Sequence, residues 1–366
     1  MRSTALRIAG VVLSAAIMVA MGGCTGARAT VSMGVASADA STVATFSAEP
    51  LPASPVIGTV TSHTDQDDVY SVELQKGEAF TARIKPPSSA VMALLLYLPG
   101  AESLDQNEFV VAGWETDRYP SYLVSENGAT FVAPETGNYY LRIIELGGLG
   151  DYTVDWAKGA VPHMTTWASA SAVSYGRAVR FSGALSGSNA QSIVGERMEL
   201  WSAPYPSRYA TKFVASTITT TGGLYSFSVV PRYRTSYKVV SAGTVDGYAM
   251  ARSASKAVAP RVYLGTPRVS TSTKYRNRVF YTWGTLKPRH AVGSRAIKIR
   301  CYLRRSDGKY VLRKTVSAVN ANYGDYTRYR AKITLPYRGR WKLYAYTSAD
   351  ALHAATLSYP RSITVR

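Results

Sequence analysis

ETGNYYLRIIELGGLGDYTVDW, residues 135–156, decides the fold class. Aromatic and aliphatic residues alternate through Tyr139–Ile144, a Gly-rich segment follows, and a second alternating run leads to Trp156. A period of two is the mark of a strand with one buried face, and two such runs around glycines predict a β-hairpin.

Moving outward, the same period recurs. DDVYSVELQKGEAFTARI (67–84) is two alternating runs around Gln75–Glu78, a four-residue hairpin loop. VMALLLYL (91–98) is an unbroken apolar run of strand length, the signature of a strand buried on both faces. No segment has an amphipathic helical period with caps. The chain holds 26 Tyr against 8 Phe, and Tyr suits half-buried pleated surfaces. These features predict an all-β protein.

The start of the chain reads as an export signal. Met1–Arg7 is basic, and Ile8–Met21 is an apolar run short for a membrane span. Gly22-Gly23-Cys24 resembles a lipobox, which would make Cys24 an acylated N-terminus; ordinary cleavage after Ala27-Arg28-Ala29 is the other exit. Residues 1–29 are therefore expected to be a signal peptide. Residues 30–55, rich in Ser, Ala and Thr, are expected to form a disordered stalk. The expected location is extracellular, or membrane-anchored at the cell surface. Only Cys301 remains after Cys24, and its place in an alternating run predicts a buried strand residue.

Across 56–158 the order of motifs carries a resemblance. Asp67-Asp68-Val69-Tyr70, Leu74 with Gly77, LLLYL, APETGNYYLRI and Gly150-Asp151-Tyr152-Thr153 resemble the bacterial pre-peptidase C-terminal (PPC-like) domain. That resemblance implies an accessory sandwich normally found beside a catalytic domain. The pattern departs at MALLLY, where the family often carries an Asp before the Leu-Tyr pair.

The remainder repeats at a period near 100 residues. Gly183, Val194-Gly195, Pro231, Tyr237 and Ser253 match Gly284, Val292-Gly293, Pro336, Trp341 and Ser358. A period of that length, built of strand-sized blocks, predicts two copies of one β-sandwich, at 162–260 and 261–366. Both copies resemble bacterial immunoglobulin-like or fibronectin-type modules. The expected architecture is thus three consecutive β-sandwich domains after an export signal and flexible stalk, with AKGAVP (157–162) as a linker.

The sequence offers little chemistry. His63, His163, His290 and His353 are spread without ligand spacing and read as surface or turn residues. No nucleophile motif is present, so no catalytic residue is assigned and the chain is read as a non-enzyme. Asp65, Asp67 and Asp68 form an acidic cluster that could hold calcium, or cap a turn at a strand entry. No other cofactor is expected.

Charge is the most informative property. Residues 41–160 carry 6 Lys/Arg and 16 Asp/Glu, whereas residues 261–366 carry 23 Lys/Arg and 3 Asp. Such asymmetry speaks of partners. Lys298 and Arg300, then Arg328, Arg330 and Lys332, then Arg338, Arg340 and Lys342 lie in alternating runs, interleaved with Tyr302, Tyr310, Tyr329 and Tyr337. Arg and Lys on one sheet face suit an extended polyanion. The expected partners are anionic cell-envelope polymers or lipid headgroups, with other surface proteins as further candidates. No nucleic-acid motif is present. The leading reading is a surface-tethered binding or scaffold protein; the alternative is a secreted hydrolase or its accessory subunit.

Overall fold

The computed structural model describes residues 28–30, 48–62, 67–86, 90–102, 110–114, 121–125, 130–147, 150–207, 212–290 and 294–366. The stretch 135–156 forms two strands, Gly137–Gly147 and Gly150–Gly159, but they do not pair with each other. Gly137–Gly147 pairs with Asp67–Leu74 and Val91–Tyr97, and Gly150–Gly159 pairs with Val56–Ser62 and Ala79–Lys85. The expected hairpin is an arch between two halves of a folded 11-stranded sheet. Burial is the reason. Each run has one apolar face, and placing Tyr139, Leu141 and Ile143 opposite Tyr152 and Val154 covers both faces in one core. The expected hairpin at 67–84 is an arch for the same reason, since Asp67–Leu74 and Ala79–Lys85 lie in different halves.

Val91–Tyr97 is buried along six of its seven residues. Met92, Leu94 and Leu96 face the main core; Leu95 and Tyr97 face a second cluster with Val69 and Val110. Residues 48–55, expected in the stalk, lie on this sheet. Glu49–Pro50 pairs in parallel with Tyr70–Ser71, and the Trp156 indole donates to the Pro52 carbonyl at 2.8 Å. Arg28–Thr30 pairs with Val56–Ser62. The rest of the signal and stalk, Cys24 included, lies outside the described residues.

Beyond residue 162, two further strand groups each have their own core. In the first, His163–Ala168, Val179–Ser186 and Leu224–Val229 face a five-stranded sheet containing Arg197–Pro204 and Thr235–Ser241. In the second, Phe280–Lys287, Tyr326–Ile333 and Val319–Tyr323 face a sheet containing Lys298–Arg304, Tyr310–Ser317 and Gly339–Thr347.

The repeat read from the sequence is physical. Gly183 pairs with Tyr225 and Gly284 with Tyr329, and each tyrosine ring lies across its glycine where any Cβ would collide. Gly58 and Tyr152 repeat the device in the first sheet. Ser253 Oγ accepts from the Val239 amide, and Ser358 Oγ from the Ala345 amide, both at 2.9 Å. Register shifts recur at Leu200/Trp201 and Cys301/Tyr302.

The strand groups dock closely. AKGAVP is no slack linker: Ala160 donates to the Gly247 carbonyl at 2.8 Å and accepts from Ala249 at 3.1 Å. Arg83, 1% exposed, reaches Asp155 at 2.5 Å on its own sheet and Glu199 at 2.7 Å on the next group. Thr81 Oγ1 accepts from the Met250 amide at 2.7 Å. At the next junction Arg234 donates to the Leu352 carbonyl at 2.7 Å, and Ala354 to Pro260 at 3.0 Å.

Candidate polyanion interface

Alternation puts the predicted cations of the last strand group on outward faces, but on two opposite ones. Its core gathers Tyr329, Ala331 and Ile333 from one sheet with Ile299, Cys301, Trp341 and Leu343 from the other. The residues between them therefore point away from the core on either side. Arg328, Arg330 and Lys332 share one outer face. Lys298, Arg300, Arg340 and Lys342 share the other. Arg338 is exposed in the turn before Gly339–Thr347.

Tyrosine is divided likewise. Tyr302 and Tyr310 lie on the second outer face, and Tyr337 is exposed in the turn. Tyr329 does not interleave with the cations: it is fully buried and donates to the Gly265 carbonyl at 2.7 Å. Its position between Arg328 and Arg330 turns it inward by the same alternation that turns them outward.

Aromatic rings hold the cations on both faces. Arg300 lies 3.5 Å from the Tyr346 ring centroid, and Lys342 lies 4.4 Å from Tyr310. On the opposite face Arg330 lies 4.0 Å from Tyr281, while Arg328 sits between Trp283 at 6.0 Å and Tyr323 at 5.7 Å. Such contacts fix the guanidinium plane while leaving N–H groups free to fork. Sequence reading missed Tyr281, Trp283, Tyr323 and Tyr346. Their alternation with core residues was visible, but which strand lies beside which was not.

The three acidic residues of this strand group are used elsewhere. Asp350 pairs with Arg295, Asp325 with Lys287 at 2.9 Å, and Asp307 reaches Arg305 at 3.9 Å. Among the described residues no carboxylate pairs with Arg328, Arg330 or Lys332.

The remaining candidates fall differently. Asp68 is 4% exposed and accepts a hydrogen bond from the Tyr152 hydroxyl inside the first sandwich. That places its carboxyl in the core, away from a surface calcium loop. Burial and the Asp68 charge hold the Tyr152 phenol protonated far above its ordinary range. Asp65 and the Asp67 side chain lie outside the described residues, as does His63. Burial pushes the Cys301 thiol up to about 12, so it stays protonated in the core.

His163 is exposed, whereas His353, of the two expected places, lies in a turn and is 2% exposed. It sits at the junction between the last two strand groups. The Tyr233 ring packs against it from the preceding group at 6.0 Å, and His290 lies 5.5 Å away. Asp350 Oδ1 lies 3.6 Å from its Nδ1, and Arg295 Nη1 3.5 Å away. Burial pushes the pKa of His353 below its ordinary value, against the pull of Asp350.

No protein-family profile and no curated protein matches this sequence. Among solved structures, a DUF4785 family protein from Legionella pneumophila aligns over 92% of this chain and 98% of its own, at 10% identity and TM-score 0.41. The adhesin FdeC of Escherichia coli aligns over 87% and 95%, at 10% identity and TM-score 0.26. The adhesin InvE of Yersinia pseudotuberculosis aligns over 55% and 58%, at 18% identity and TM-score 0.24.

Proposed function

We propose that this chain is an exported, surface-tethered, non-enzymatic binding and scaffold protein of the bacterial cell envelope. In this reading it comprises three sandwich domains, 56–158, 162–260 and 261–366, carried on the segment that begins at Cys24. The last domain contacts anionic envelope polymers. The observation that carries the reading is the charge of residues 261–366: 23 Lys/Arg against 3 Asp, with cations on both outer sheet faces. Concentrating like charge costs self-repulsion, which an anionic partner relieves. The Arg83 junction supports the scaffold element by fixing how the first two sandwiches sit.

The test is retention of the full chain on isolated envelope. Binding is expected at low ionic strength and should fall steeply between about 0.05 and about 0.5 M salt, as the screening length shrinks from about 14 to about 4 Å. Absence of retention at low salt, or retention indifferent to salt, overturns it.

A further inference from the structure

The two basic faces of the last strand group are not equivalent. The face formed by Phe280–Lys287, Tyr326–Ile333 and Val319–Tyr323 carries two adjoining concavities of about 610 and 450 Å³. Both volumes lie in the range of small-molecule sites, about 300–1,000 Å³. Tyr281, Arg328 and Arg330 line both, so the guanidiniums stand at the partition between them. Apolar surface flanks the cations: Tyr275 is 67% exposed on one side, Val319 77% and Tyr323 47% on the other.

A ligand that only carried charge would leave this apolar surface wet. The arrangement asks for a repeating ligand in which bulky units with an apolar side alternate with anions. Sugar rings offer C–H faces that pack on aromatic walls, and a ring carboxylate offers the two oxygens that an Arg fork accepts. We propose that this face binds an extended glycan whose sugar rings carry carboxylates. The inference rests on the polyanion reading above and deepens it by naming the face and the ligand class. Single-stranded nucleic acid is the weaker fit. The sequence carries no nucleic-acid motif, so oligo-dT enters as the competing probe.

The test uses the full chain and four probes: polygalacturonate, its methyl ester, inorganic polyphosphate and oligo-dT. Polygalacturonate should bind most tightly, and the uncharged ester at least tenfold more weakly. Tyr281→Ala should weaken polygalacturonate binding about tenfold with little change in salt dependence. Arg330→Gln should weaken it similarly and flatten the salt dependence. Arg340→Gln with Lys342→Gln, on the opposite face, should change affinity less than threefold. All three exposed-face variants should unfold at the wild-type temperature.

Polyphosphate binding as tight as polygalacturonate, with Tyr281→Ala silent, overturns the glycan and leaves a general polyanion binder. Tightest binding to oligo-dT overturns it in favour of nucleic acid. Equal binding of the ester removes the carboxylate, and a larger loss from the Arg340/Lys342 variant removes the face. Failure of every anionic probe overturns both this inference and the polyanion reading.

Discussion

Arg83 and Arg330 are both strand arginines, and their surroundings could hardly differ more. Arg83 is buried between two carboxylates, Asp155 and Glu199, and Glu199 also accepts from the Trp201 indole at 3.0 Å. Arg330 is exposed, rests on a tyrosine ring and faces no carboxylate among the described residues. A buried ion has given up its water, so it is held only where its partners stay put. An exposed guanidinium on a ring keeps its water and can exchange it for a ligand anion. The contrast teaches that the partner of an arginine, not the arginine itself, separates a joint from a binding surface.

The strongest way to break that comparison is Arg83→Leu. It leaves Asp155 with Lys85 alone, at 2.8 Å, and Glu199 with only the exposed Arg197, at 3.6 Å, and removing one member of a buried pair costs about 3–5 kcal/mol. The first strand group should then unfold at lower denaturant, and protease should cut near residue 160 before any other site. Wild-type stability with intact protection there would show that Arg83 is no joint.

Acid should sharpen it, because the two junctions respond in different windows. His353 is held neutral, with its folded-state pKa below 6.5. Its contribution is therefore whole above that pH and declines as pH falls below it, where the unfolded chain takes up the proton first. The charged or titratable groups facing it are Asp350, Arg295, His290 and Tyr233. Burial pushes His290 down too, so both histidines act in the same sense. At the Arg83 junction, burial opposes the charge of Asp155 and Glu199, yet Arg83 together with Lys85 and the Trp201 indole outweighs it and holds both below 3.8 and 4.5 respectively. Their contribution is whole above those values and is lost only as pH falls below them. Hydrogen exchange at about pH 5.5 should therefore show loosening around Tyr233 and His353 while Arg83 stays protected. Simultaneous loosening of both junctions would contradict the assignment.

The smallest expected effect is on Arg330 itself. Arg330→Gln should shift unfolding free energy by no more than about 0.5 kcal/mol, as surface changes do, although it weakens ligand binding. A loss comparable to that of Arg83→Leu would make Arg330 structural.

Much of the fold was legible. Alternation marked the strands, the unbroken run 91–98 marked the doubly covered one, and the spacing of Gly183 and Gly284 marked the repeat. Pairing was less legible. The runs at 67–84 and 137–156 have the local signature of hairpins, and only the need to cover two apolar faces at once makes them arches. Of the site, the cations were visible residue by residue, including which of them share a strand face.

The sequence by itself determined that this is an all-β chain, that its last third repeats the middle one, and that its positive charge is gathered at one end. These properties follow from local period and composition, which depend on neighbours in the chain. Only the tertiary structure decided that the cations divide between opposite faces, that Asp68 and His353 are buried, and that Arg83 joins two sandwiches. Each depends on which distant strand lies alongside, and that is settled by burying apolar faces against one another.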